Sequence, residues 1–321
     1  MTTERLTRRR ALGLVAAATG LPLVLRATRG TAEVVTWHGR ALGAPATLIL
    51  HHPDRPAAER LVVSCVAELD RLEGVLSLYR PDSALCELNR TGALAAPPPA
   101  LVAILDDARG FHALTDGAFD PTVQPLWRLY ATHFQRGGGE EGPAPEALAE
   151  ALAAVGLEAV HANADRIAFA RPGMALTLNG IAQGWITDRI TDRLRAAGVT
   201  ATLVDMGEIR GVGGPWRVGI DGSDDTLALT NRAVATSAPR GFAFDPAGRF
   251  THIIDPRTGA TPARFSRVTV TAPTAAAADA LSTAFALTDD LPAIPDVTLD
   301  RIATTLHRRD APWPPPPTTP T

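Results

Sequence analysis

Apolar runs of four or five residues, each cut short by Gly, Pro, Asn or Asp, recur from Ala159 to Thr271 and limit what this chain can become. Runs that short read as strands joined by turns. The spacing predicts strands over 159–162, 166–170, 175–178, 200–204, 216–220, 233–236, 251–254 and 267–271, with an earlier one over 46–50. Helical periodicity interrupts them. Residues 55–77 carry Leu61, Val62, Cys65, Val66, Leu69, Leu72 and Leu76 on one face, and 99–115, 145–155, 183–197 and the alanine-rich 275–287 follow. Strands without regular alternation with helices point to an α+β fold, a single domain of antiparallel sheet with flanking helices. That domain is expected over 33–308, with a loop rich in Gly, Glu and Pro at 135–145 and a Pro-rich tail at 309–321.

Composition matters chiefly for what it removes. All 31 basic residues are arginine, so a lysine Schiff base, a lysine general base and a P-loop lysine are excluded. A net charge of −3 gives no basic footprint for a nucleic-acid partner. Two cysteines, Cys65 and Cys86, cannot build a disulfide framework or a cysteine zinc site, and Cys65 falls on an apolar stripe.

Arg8-Arg9-Arg10 precedes a mild apolar run, 11–25, broken by Gly20 and Pro22. The run is shorter than the ~20 strongly apolar residues a spanning helix needs. Adjacent arginines before a modest apolar stretch resemble a twin-arginine signal, which makes 1–32 an export segment and the periplasm the destination. Six arginines and one glutamate lie in those 32 residues, so the remainder carries −8.

Several segments carry polar groups that a structural role does not demand. On the helix 275–287, Thr274 is a good N-cap, and Asp279 and Thr283 project from one side of an otherwise apolar rod. That pair suits a hard cation such as Mg2+, or else Asp279 faces solvent and Thr283 bonds back to its own helix. Asp120 before Pro121 looks like a helix start, which can also receive a phosphate or ribose through free N–H groups. Asn179-Gly180-Ile-Ala-Gln183-Gly184 joins a strand to a charged helix through two glycines that allow close approach of a ligand. His252 and Asp255 are three apart, so on a strand they would face opposite sides and form no dyad.

Taken in order, Leu78-Tyr-Arg-Pro-Asp-Ser, Gly117-Ala-Phe-Asp-Pro-Thr-Val, Asn179-Gly-Ile-Ala-Gln-Gly, Val234-Ala-Thr-Ser237, His252-Ile-Ile-Asp-Pro-Arg-Thr-Gly259 and Ala278-Asp-Ala-Leu-Ser-Thr283 resemble the motifs of the ApbE family of flavin transferases. The resemblance implies Mg2+-dependent transfer of FMN from FAD to a Ser or Thr hydroxyl of an acceptor protein, with release of AMP. It implies Asp279, Thr283 and the Gly180 carbonyl as metal ligands. Tyr79, Ala118, Phe119, Asp120, Thr177, Gln183 and Ile253 would line the FAD site. His252 would activate the acceptor hydroxyl or orient the phosphates. The partners implied are FAD and a flavin-acceptor protein, such as a membrane-anchored electron-transfer protein.

This chain departs from the family pattern in places. Thr177 stands where the family has Asp, Asn179 where it has Gly, Gln183 where it has Lys, and Leu42-Gly43-Ala44 where it has Met-Gly-Thr. Asp205-Met-Gly207-Glu208-Ile-Arg210 is one glycine shorter than the family's Gly-Gly-Asp-Ile-Arg. This variant pattern resembles the branch serving nitrous-oxide reduction. The lost charges at Thr177 and Gln183 fit an exported flavin-binding protein without turnover, and a third reading is an Mg2+-dependent FAD pyrophosphatase in which water replaces the acceptor hydroxyl.

Overall fold

A two-residue turn opens the described chain. In this computed structural model, which describes residues 33–220, 226–262, 264–288 and 294–303, β1 (Glu33–Ala41) folds back on β2 (Ala44–His52). Leu42 and Gly43 both have positive φ, 47° and 87°, the backbone that a tight hairpin needs. The Glu73 carboxylate accepts the Leu42 N–H and holds that turn against helix α1 (Arg55–Leu76). Asp54 caps α1 by accepting from Ala57 N at 3.0 Å, and Pro56 fits its first turn. Of the predicted face, Val62, Cys65, Leu69, Leu72 and Leu76 are buried, and Leu61 and Val66 at its edge are half-buried. Burial pushes the Cys65 thiol up to about 11, so it packs and does not react.

Next come α2 (Ala84–Thr91), β3 (Ala93–Ala95), α3 (Pro99–Leu114), α4 (Gln124–Gln135), α5 (Pro145–Ala153), β4 (Val160–Ala162) and β5 (Arg166–Phe169). Helix α6 (Ala182–Ala196) leads into β6 (Thr202–Asp205), β7 (Ile209–Val212), β8 (Trp216–Gly219), β9 (Thr226–Leu229) and β10 (Ala233–Ser237). The chain continues through β11 (Phe265–Ala272) and α7 (Ala275–Leu287) to β12 (Thr298–Ala303). Seven strands form one sheet in the order β1-β2-β6-β7-β10-β11-β12, every neighbouring pair antiparallel. Two smaller sheets, β3-β5-β4 and β8-β9, flank it. The architecture is α+β, as the spacing predicts.

Two expected strands do not form. Residues 175–178 have no strand partner; the Asn89 side chain bonds both Leu176 N, at 2.7 Å, and Leu176 O, at 2.8 Å, and Thr177 N donates to Pro121 O. A side-chain amide satisfies the backbone there in place of a neighbouring strand. Residues 251–254 make one bridge, Thr251 with Ala243, before Pro256 ends any ladder. Asp255 therefore lies in a turn, its carboxylate gripped by Arg257 through two N–H bonds of 2.9 and 2.8 Å. The export segment and the Pro-rich tail lie outside the described residues. Among the described residues no helix is long and apolar enough to cross a membrane.

Helix α7 stands between two apolar clusters. Ala276, Ala280 and Ala284 pack with α1, α3 and α6, while Ala278, Leu281 and Phe285 pack with Ala235, Val268 and Val270 of the sheet. A helix buried on both sides leaves its polar positions little choice of direction.

Candidate active site

Helices α6 and α7 begin side by side, and each receives a carboxylate from the other. Asp188, on α6, accepts Ala275 N and Ala276 N at 2.9 Å, adding to Thr274 as caps of α7. Asp279, on α7, accepts Gly184 N at 3.1 Å in the first turn of α6. A methyl group on Gly184 would overlap the Ala275 carbonyl, so only glycine lets the two helix starts approach this closely.

Asp279 is 4% exposed, which removes the reading of a solvent-facing carboxylate. Burial pushes its pKa up to about 7; the Gly184 N–H opposes that rise and the charge of Asp188 adds to it. Glu208, in the β6–β7 turn, is raised well above the ordinary range by withdrawal from water, then by Asp279 and Asp205. Thr187 Oγ1 donates to the Glu208 carbonyl at 2.9 Å and ties that turn to α6. Arg210 reaches Asp188 at 2.7 Å and Asp192 at 3.4 Å. Among the described residues no ion pair joins Asp205, Glu208 or Asp279 to a basic side chain. Buried negative charge without a counter-charge is costly, and a bound cation would relieve it.

The oxygens around Asp279 suit such a cation. Thr283 follows one turn later, and a methyl group on Gly180 would lie 3.0 Å from Thr283 Oγ1 and 3.5 Å from the Phe119 ring. Gly180, Phe119 and Thr283 thus meet at one point. Carboxylate, hydroxyl and carbonyl oxygen make a hard-donor set. Among the described residues no three His, Cys, Asp or Glu side chains gather as in a cysteine or histidine metal centre. Ser237, at the end of β10, brings a further hydroxyl to within 3.5 Å of Thr283 Oγ1.

Tyr79 follows α1 and is 38% exposed; its hydroxyl accepts from Asn179 Nδ2 at 3.1 Å. Thr177 Oγ1 accepts from Asn179 N at 3.2 Å, a local turn that shapes the approach to Gly180. Gln183 lies across Gly207, whose φ of +105° favours glycine; a methyl group there would displace the Gln183 amide. Ala118 and Phe119 are buried. Asp120 is engaged within the protein: Oδ1 accepts from Thr122 N at 2.7 Å and Thr122 Oγ1 at 2.6 Å, and Oδ2 accepts from Leu157 N at 3.2 Å. Burial raises its pKa, and His112, 3.5 Å away, pulls the other way. His112 is therefore drawn inward, its Nδ1 also 3.1 Å from Phe119 O. A cavity of about 320 Å³ opens beside Asp120, lined also by Gly117, Gly156, Pro256 and Arg257.

His252 follows the 239–250 loop and folds back on it, its N–H donating to Phe242 O at 3.2 Å. Its Nδ1 lies 3.0 Å from Phe242 O, a carbonyl that can only accept, so the ring donates from Nδ1 in that contact. Burial lowers its pKa below the ordinary value, against the pull of the Phe242 and Pro239 carbonyls, so the ring is neutral at neutral pH. The adjacent Ile253 is 7% exposed and packs with Ala278 and Leu281 of α7. Gly180, Phe119 and Thr283 thus meet, Asp279 lies one turn away on α7, and Tyr79 is joined to that loop through Asn179, while Asp120 borders a cavity and His252 is held by the 239–242 segment. Glu208 and Ser237 carried no expected role. Ser237 lies within a motif, and its only further signal was its place at a strand end.

The ApbE family profile matches residues 42–294. The FAD:protein FMN transferase of Haemophilus influenzae is 28% identical over 306 residues, 87% of each chain. That of Treponema pallidum is 34% identical over 270 residues, 72% of each. Among solved structures, the apo flavinyl transferase ApbE of Pseudomonas stutzeri superposes with a TM-score of 0.71 at 27% identity, covering 84% of this chain and 95% of that one.

Proposed function

The chain belongs to the ApbE family, and on that premise we propose that it is an exported FAD:protein FMN transferase. It moves FMN from FAD to a Ser or Thr hydroxyl of an acceptor protein, with Mg2+, and releases AMP. The observation that carries the reading is Asp279: a buried carboxylate with a raised pKa, one turn from Thr283, whose hydroxyl lies against Gly180.

Asp279, Thr283 Oγ1 and the Gly180 carbonyl would hold Mg2+. Once bound, it would supply charge neutralisation on the phosphate oxygens. FAD lies with Tyr79, Phe119, Thr177 and Gln183 along its length, which gives neutral hydrogen bonds where the family pattern has charged groups. Asp120 and Ile253 shape the walls from behind. The acceptor oxygen forms a bond to the FMN phosphorus as the pyrophosphate P–O bond breaks, and AMP leaves with that bridging oxygen. His252 Nε2 takes the hydroxyl proton. The ring suits this because it is neutral at working pH and no lysine exists to compete.

The Arg8-Arg9-Arg10 segment supports delivery to the periplasm, with 33–308 as the transferase domain and 309–321 as a tail. The test is to incubate the protein with FAD, Mg2+ and a candidate acceptor. Covalent flavin on the acceptor with one AMP per flavin is expected. Free FMN with AMP would make it a pyrophosphatase, and intact FAD would make it a binder.

A further inference from the structure

Three hydroxyls connect β10 to α7, and their donors can be assigned in order. Ser282 Oγ donates to the Asp279 carbonyl at 3.0 Å. A hydroxyl has one hydrogen, so in the 2.7 Å contact between Ser237 Oγ and Ser282 Oγ the hydrogen belongs to Ser237. Ser237 then has only lone pairs to offer Thr283 Oγ1, 3.5 Å away. Any hydrogen shared across that long contact is therefore that of Thr283. Its lone pairs are left to face other neighbours, and Gly180 is the backbone that approaches this oxygen.

We infer that Ser237 is a positioning residue of the cation site: it receives the Thr283 hydroxyl hydrogen and so turns the Thr283 lone pairs toward the ion. The inference rests on the reading of Asp279, Thr283 and Gly180 as ligands. A hydroxyl that coordinates a cation must present oxygen and not hydrogen. Left alone, the Thr283 hydroxyl would donate to a carbonyl within its own helix. Ser282, 1% exposed, fixes the relay from behind, because its own hydrogen is already taken by the backbone of the turn that carries Asp279. The orientation of a ligand on α7 is thus set from β10.

The test compares Ser237→Ala, Ser237→Thr and Asp279→Ala in the exported protein stripped of metal. Mg2+ and Mn2+ binding are measured by calorimetry without FAD, and FMN transfer is measured across an Mg2+ titration. Ser237→Ala should weaken metal binding about 10-fold, the lower end of what loss of an outer-shell partner costs. Saturating Mg2+ should restore its kcat to within about 3-fold, and FAD affinity in EDTA should be unchanged, a split that a merely structural serine would not give. Ser237→Thr, which keeps the acceptor oxygen, should bind metal as the wild type does. Wild-type metal affinity in Ser237→Ala, with affinity lost in Asp279→Ala, overturns the role of Ser237 and leaves the cation site standing. Wild-type affinity in both overturns the site and this inference together. Should Ser237→Ala fail to fold, Ser237→Gly, which also removes the acceptor, replaces it, and wild-type metal affinity there overturns the inference equally.

Discussion

Asp188 and Asp279 exchange caps: each carboxylate closes the first turn of the helix that carries the other. The exchange fixes α6 against α7 and thereby sets Gly180, which precedes α6, against Thr283. Arg210, 2.7 Å from Asp188, neutralises one of the two. Asp279 has no such partner among the described residues, and this asymmetry leads to the first prediction.

Asp279→Asn keeps an oxygen for Gly184 N and removes the charge. A carboxyl with a pKa of about 7 in the fold and 3.8 when free is harder to ionise in the folded protein. Ionisation therefore costs the metal-free fold increasingly as pH rises from 3.8 to about 7, and fully above that. In EDTA at about pH 8 the variant should melt at least ~2 °C above the wild type, as ~1 kcal/mol relieved would give in a domain near this size. The gain should vanish near pH 4. Mg2+ should raise the Tm of the wild type only, and the variant should not transfer FMN. A variant that melts lower than the wild type at both pH values would show that the charge is not strained.

His252→Ala should lower FMN transfer by about 10²–10⁴-fold, the usual worth of a general base, while FAD affinity stays within a few-fold. The wild-type kcat/KM should fall on the acid side of a limb lying below 6.5, because burial lowers the His252 pKa and protonation removes the base. That limb should be missing in the variant. A limb that persists unchanged assigns the base to another group.

Gly184→Ala should destabilise the protein by ~1–3 kcal/mol, the cost of forcing an extra methyl into a packed contact. The new methyl meets the Ala275 backbone, which cannot rotate away. Gly110→Ala, on α3 with nothing within 4 Å of the new methyl, should instead stabilise by ~0.5–1 kcal/mol. Equal effects in urea unfolding would show that the close approach of α6 to α7 carries no energy.

Replacing Arg8, Arg9 and Arg10 together by Lys should leave the precursor in the cytoplasm. The triple change is needed because Arg9-Arg10 can stand in for Arg8-Arg9. Fractionation that finds the variant in the periplasm at wild-type levels would assign delivery to another route.

Much of this was legible because the signals were local. The bounds of α7 are those its alanines and Thr274 predict, and α1 ends within a residue of its apolar stripe. Helix α2 was readable but missed: Ser83 caps it, accepting Cys86 N at 3.1 Å, and Gly92 ends it with a φ of 76°. Residues 175–178 misled because their bonds come from Asn89, 87 positions away, and no spacing announces that. The burial of Asp279 was equally invisible. Its helix neighbours are alanines on every side, so periodicity alone could not say which face met solvent.

Helix α7 has apolar clusters on two opposite flanks, Ala280 in one and Leu281 in the other. A rod enclosed in this way has almost no face on which a substitution goes unnoticed. Larger side chains on it collide, and smaller ones leave holes. Substitution is more easily absorbed in exposed segments such as 135–142. The helix that carries Asp279 and Thr283 is the part of the protein least able to drift.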